Sequence, residues 1–218
     1  MEWVVWLRVF PVLLFSVVMH ECAHGYVASR CGDDTARYAG RITLNPIPHI
    51  DPFGSILLPL LLILTGSHVF IAWAKPVPVN PSNFRNPRRD DIMVSLAGPA
   101  TNLLLACLFT LLAICGQAIF KTSPPMKPLA QALLLMSQYG ILINLLLAVF
   151  NLIPIPPLDG SHILRGLLPS KATIVFDKIG RYGFILLVVL VMTPFFKFLF
   201  FPAHALAWLL IRVILIFG

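Results

Sequence analysis

Runs of about 20 mostly apolar residues, the length a helix needs to span a bilayer, recur along this chain and constrain it more than any other feature. They fall at roughly 3–29, 53–74, 92–118, 131–153 and 183–200, with a shorter apolar tail at 203–218. Lipid offers no partner for backbone N–H and C=O groups, so such runs have to become helices that pack together. Composition agrees, since 58% of the 218 residues are hydrophobic and only 11% are charged. Soluble domains carry about twice that charged share. The expected fold class is an all-α polytopic membrane protein, built as one domain over residues 1–218 with no room for a second soluble unit.

The formal net charge of +7 would suggest nucleic acid in a soluble protein. In a polytopic membrane protein, surplus Lys and Arg gather in cytoplasmic loops instead, so no nucleic-acid partner is expected. Cys22, Cys31, Cys107 and Cys115 show no paired spacing, and three of them lie in apolar segments. They read as small hydrophobes and not as a disulfide framework. Trp3 to Val18 could mimic the apolar core of a signal peptide. Glu2 precedes it, Arg8 interrupts it, and His20 and Glu21 stand where a cleavage site would follow, so a retained helix is expected.

Charge also bears on segment 53–74, which contains Pro59 and Gly66 and lies between two strand-like stretches, Arg41–Leu44 and Lys75–Val79. Basic residues cluster before and after it (Arg30, Arg37, Arg41, then Lys75, Arg85, Arg88, Arg89) and again at Arg165, Lys171, Lys178 and Arg181. Residues 119–130 hold only Lys121 and Lys127. Both rich blocks fall on one face if 53–74 re-enters and returns, which the positive-inside rule favours. A re-entrant, β-containing segment over 40–80 is therefore expected, with the N-terminus outside and residues 155–181 inside. Asp91 is a candidate cap for the helix over 92–118. Pro154, Pro156 and Pro157 end the one over 131–153.

Chemistry enters in the first apolar run, at His20-Glu21-Cys22-Ala23-His24. Residues four apart share a helix face, so two imidazoles can bind one zinc ion while Glu21 takes a proton from the attacking water. Glu2 and Glu21 are the only glutamates, and Glu21 lies deep in apolar sequence. Ionisable groups in a span cost roughly 2.5–3.5 kcal/mol on insertion scales and mark function. A catalytic zinc site takes three protein ligands, which directs attention to isolated acids. Asp159 is the only acid between Asp91 and Asp177. It ends Asn151-Leu-Ile-Pro-Ile-Pro-Pro-Leu-Asp159-Gly160, a stretch that prolines hold extended, although an ordinary Asp-Gly turn would look the same.

His20-Glu21-x-x-His24 together with Asn151-x-x-Pro154-x-Pro156-x-Leu158-Asp159-Gly160 resembles the signature of the site-2 protease family of intramembrane zinc metalloproteases. Between them, Ala97-Gly98-Pro99-x-x-Asn102 is similar to the motif opening that family's second core helix. The resemblance covers nearly the whole chain and points to the short form without a PDZ or CBS domain. It implies a three-helix catalytic core (about 3–29, 92–118 and 131–153), the re-entrant segment, and C-terminal helices within 183–218. It further implies zinc held by His20, His24 and Asp159, with Glu21 as general base. Asn102 and Asn151 would orient substrate or stabilise the oxyanion, and helix–helix hydrogen bonding remains equally open for Asn102.

The implied activity is zinc-dependent hydrolysis of peptide bonds within or near transmembrane helices. Its partners would be transmembrane protein substrates and the lipid bilayer, and its setting a bacterial-type cell membrane with the site toward the cytoplasmic half. A zinc transporter and a non-catalytic membrane adaptor are the alternatives. A transporter, however, would usually show repeated halves or several polar helices along a path. Cys22 should point away from the two histidines. His49 and Asp51 form a second polar pair with a structural or gating role expected, and His68, His162 and His204 read as unpaired interfacial residues. Substrate identity and oligomeric state are not legible in the sequence.

Overall fold

The structure, a computed structural model, describes residues 2–57, 60, 61, 64, 73–194 and 196–217. Three helices dominate it: α1 (Glu2–Cys31), α2 (Pro87–Thr122) and α3 (Lys127–Asn151). The stretches Val9–Cys31, Pro87–Thr122 and, with the turn before α3 included, Pro124–Asn151 are long and apolar enough to cross a membrane. The chain is a membrane protein on that ground and on its composition. α2 and α3 are joined by the single turn Pro124–Met126, so they run antiparallel, and α1 packs against both.

Smaller helices follow: α4 (Asp159–Leu167), α5 (Ser170–Gly180), α6 (Gly183–Met192) and α7 (Phe201–Phe217). The core joins Val12 of α1, Leu105, Ala106, Phe109 and Ala113 of α2, Ile141 and Leu145 of α3, and Ala203, Ala207 and Ile214 of α7. The alanines let backbones approach closely, which drives helix association where lipid supplies no hydrophobic contrast. Leu104, Leu108 and Leu111 lie on the opposite, exposed face of α2, as expected of side chains turned to lipid.

Three expectations change. Helix α2 starts at Pro87, not at a cap provided by Asp91: Asn86 is the capping residue, and its N–H donates to the Asp90 carboxylate at 2.8 Å. Proline suits the first helical position because the N–H it lacks would be unpaired there anyway. The run 183–200 is not one spanning helix, because Thr193 and Pro194 interrupt it after the ten residues of α6, about 15 Å of helix. Finally, the β-containing element expected over 40–80 finds no support: the described residues include no strand and are helical or irregular.

The cause lies in how those two stretches spend their backbone groups. Pro76 and Pro78 bring no N–H to a ladder. The carbonyls of Lys75 and Pro76 accept from the Arg41 side chain at 2.7 and 3.1 Å, and that of Thr43 accepts from Cys22. Side chains thus take what a strand partner would need. Most of the interior of 53–74, including Pro59, Gly66 and His68, lies outside the described residues. Its ends meet, with the Trp73 N–H on the Gly54 carbonyl at 3.2 Å and the Ser55 hydroxyl on the Trp73 carbonyl at 2.7 Å.

Candidate metal centre

Helix α1 puts His20 and His24 one turn apart on the face toward α2 and α4. The chain after α3 turns through Pro154–Leu158, with a cis peptide between Pro156 and Pro157, and α4 begins at Asp159. That turn carries the Asp159 carboxylate back to the two imidazoles. Oδ2 of Asp159 lies 3.3 Å from Nε2 of His20 and 3.3 Å from Nε2 of His24, and the two Nε2 atoms are 3.0 Å apart. Asp159 stands 135 residues after His24 in the sequence, and the fold brings it to the histidine pair.

The protonation of both rings follows from their outer nitrogens. His24 Nδ1 faces the Val94 carbonyl at 2.7 Å, which can only accept, so Nδ1 carries the proton. His20 Nδ1 faces Oδ1 of Asn102 at 2.6 Å. The orientation of that amide is fixed by a chain of bonds that ends on a backbone carbonyl. Asn144 donates to the Gly140 carbonyl at 2.8 Å and to Ser16 Oγ at 2.9 Å, so its Oδ1 accepts from Asn102 Nδ2 at 2.9 Å. Asn102 must then present its oxygen to His20. Ser16 closes the chain by donating to the Val12 carbonyl at 2.8 Å.

With both Nδ1 atoms protonated, neutral rings turn two lone pairs and a carboxylate oxygen toward one point. Such an arrangement is repulsive unless a cation sits among them. Side lengths of 3.0–3.3 Å match one face of a tetrahedron whose bonds are about 2.0–2.1 Å, with edges of about 3.3 Å. Oδ2 of Asp159 is buried without a hydrogen-bond partner, as a ligand atom would be. Gly98 completes the cradle, because a Cβ there would collide with both Nε2 atoms. The donor set fits a small tetrahedral divalent ion.

Glu21 leaves α1 in another direction, and its Oε2 accepts the Val77 N–H at 2.7 Å. Cys22 also points away from the triad, donating from Sγ to the Thr43 carbonyl at 3.0 Å. Asn102 is fully buried with both ends of its amide engaged inside the bundle. Asn151 donates to the Leu147 carbonyl of its own helix at 3.0 Å. His49 and Asp51 serve separate ends: His49 is buried against the Thr43 carbonyl, whereas Asp51 accepts the Phe53 and Gly54 N–H groups.

His162 is not unpaired. Its Nδ1 lies 3.5 Å from Asp91 Oδ1 of α2, and that carboxylate raises the imidazole pKa against the effect of burial. His204 turns back to the Phe200 carbonyl, just before the start of α7, at 2.8 Å. Sequence reasoning missed Ser16 and Asn144. Asn144 was detectable as the amide interrupting the apolar run from Ile141 to Phe150, the kind of group that marks a functional contact in a span.

The model of peptidase family M50 matches residues 9–193. Among curated proteins, "Putative zinc metalloprotease YwhC" of Bacillus subtilis is 41% identical over 193 residues, covering 87% of this chain and 82% of that protein. "Putative zinc metalloprotease Rip2" of Mycolicibacterium smegmatis is 33% identical over 190 residues, covering 87% of this chain and 68% of that one. "Zinc metalloprotease MJ0392" of Methanocaldococcus jannaschii is 26% identical over 166 residues, 76% of this chain and 36% of that protein. No solved structure matches.

Proposed function

The chain belongs to peptidase family M50, and we propose that it is a zinc metallopeptidase that hydrolyses peptide bonds within or near the transmembrane helices of other membrane proteins. The observation carrying this reading is the triangle of His20 Nε2, His24 Nε2 and Asp159 Oδ2, with both imidazole tautomers set so that lone pairs converge. Its place in a helix that crosses the membrane supports substrates that are themselves membrane segments. The catalytic domain is the whole of residues 1–218.

His20, His24 and Asp159 would hold the ion, leaving a fourth position open. Zinc, when bound, would polarise the scissile carbonyl and acidify water at that position. Glu21 accepts the proton of the attacking water and delivers it to the leaving amine. The Val77 N–H occupies Oε2, so Oε1 is the oxygen left for that transfer. Asn102 keeps the His20 ring in the ligating tautomer. In this reading the half-buried Asn151, at the end of α3 beside the Pro154–Leu158 turn, would meet an unwound substrate backbone with the amide oxygen that its bond to Leu147 leaves over. With its basic loops on the inside, the site would lie toward the cytoplasmic half of the membrane, a bacterial-type cell membrane in this reading.

The test is co-expression with a panel of single-span reporter proteins, comparing wild type with Glu21→Gln. Product should form with wild type alone, and the variant should retain its zinc. Cleavage by Glu21→Gln would remove Glu21 as the base. Glu21-independent zinc flux in proteoliposomes would instead favour transport.

A further inference from the structure

Outside the metal triangle, the most unusual charge in the molecule is Arg41. It is buried, its Nε has no hydrogen-bond partner, and among the described residues no carboxylate forms an ion pair with it. Burying a guanidinium unpaired is costly, so its contacts should explain its position. Its Nη2 donates to the Lys75 carbonyl at 2.7 Å and to the Pro76 carbonyl at 3.1 Å. Pro76 C=O belongs to the same peptide group as Val77 N–H, which donates to Glu21 Oε2 at 2.7 Å.

We infer that Arg41 is a positioning residue for Glu21, acting through the single peptide group between Pro76 and Val77. The guanidinium fixes the oxygen end of that planar unit and Glu21 receives the hydrogen at the other end. A charged donor on the carbonyl polarises the amide and strengthens the bond on its far side. Local sequence isolates the relay. Pro76 and Pro78 carry no N–H and hold φ near −65°, leaving Val77 as the sole backbone donor between Lys75 and Val79.

Packing sets the register. Gly25 stands four residues after Glu21, on the same helix face. A Cβ at Gly25 would lie 3.1 Å from Cγ1 of Val77, so the bare glycine lets Val77 seat against α1 while its N–H reaches Glu21. The Lys75 N–H ties the start of the segment to the His49 carbonyl at 2.9 Å, and the Asn80 N–H ties its far side to Asp33 at 2.7 Å. Arg41 therefore orients the carboxylate through bonds to the Lys75 and Pro76 carbonyls and none to His20, His24 or Asp159.

This inference rests on Glu21 being the base, and the experiment separates the two. The full chain in proteoliposomes is assayed on a single-span reporter that wild type cleaves, with zinc content measured for each variant. Arg41→Met should lower kcat about 10- to 100-fold, as loss of such supporting contacts does, with KM and zinc content unchanged. Arg41→Lys keeps a charged donor and should recover part of that loss. Val77→Pro removes the N–H while leaving Arg41 in place. It should match Arg41→Met, and the double variant should be no worse than either single, since both break one relay.

Wild-type kcat in Arg41→Met or Val77→Pro, with Glu21→Gln inactive, overturns the relay and leaves the base intact. A parallel loss of zinc or rise in KM also overturns it, by making Arg41 a general structural support. Activity in Glu21→Gln overturns the base reading, and the relay with it.

Discussion

His20 and Glu21 are neighbours on one helix, yet opposite kinds of material hold them. His20 is gripped from inside the bundle by Asn102, Asn144 and Ser16, one from each of two further helices and one from its own, all fully buried. Glu21 is gripped by the backbone of an irregular segment, which Arg41 and Asp33 pin in turn. A residue step of about 100° around the helix separates the two environments. The proposed metal ligands thus depend on helix packing that cannot shift without disturbing the core. The proposed base depends on a segment that can shift while the helices stay as they are.

That difference predicts two separable classes of damage. The largest effect is expected at the bundle side from Gly98→Ala, whose Cβ would occupy the space facing both Nε2 atoms. Zinc content should fall below detection and cleavage with it, while helix content by circular dichroism stays at the wild-type value. Retained zinc would mean that the rings and Gly98 do not meet as described. Next comes Asn144→Leu, which leaves Asn102 Nδ2 without its acceptor in a buried position. Zinc affinity should weaken by about 10- to 100-fold, read by chelator competition, and activity per bound zinc should be preserved. If activity per zinc falls instead, the contrast between the two environments fails.

The same contrast explains what could be read from sequence. The three long spans and the shared face of His20 and His24 follow periodicity and residue chemistry, whereas Asp159, by itself no more than an Asp-Gly turn, joined them only through the family resemblance. Helical spacing likewise predicted that Cys22 turns away. What was not legible depends on long-range pairing of single groups. Arg41–Leu44 and Lys75–Val79 have the composition of strands, but Arg41 reaches across to the other stretch's carbonyls, and prolines deny it a ladder. Asp91 looked like a cap because nothing local reveals that His162 comes to lie against it. Asn144 waited on the register of α3 against α2, which an apolar pattern leaves undetermined.

The smallest effect, and the one that isolates the irregular side, is at Asp33. This carboxylate is buried at the end of α1 and accepts the Asn80 N–H at 2.7 Å, Asn83 Nδ2 at 2.8 Å and the Thr35 N–H at 3.2 Å. Burial by itself would raise its pKa, but the bonds from Thr35, Asn80 and Asn83 outweigh burial and hold it below the ordinary carboxylate value. A depressed folded value means that the ionised form favours folding. Its contribution is complete above the ordinary value, near pH 4, and is lost as the pH falls through the lower folded one. Thermal unfolding in detergent should therefore show Asp33→Asn less stable than wild type by a constant margin from about pH 7 to 5, a margin that closes below about pH 4. Zinc content at pH 7 should not change, because the triad is held from the bundle side. Loss of zinc at neutral pH in Asp33→Asn would show that the two environments are coupled through α1, and the separation drawn between His20 and Glu21 would have to be abandoned.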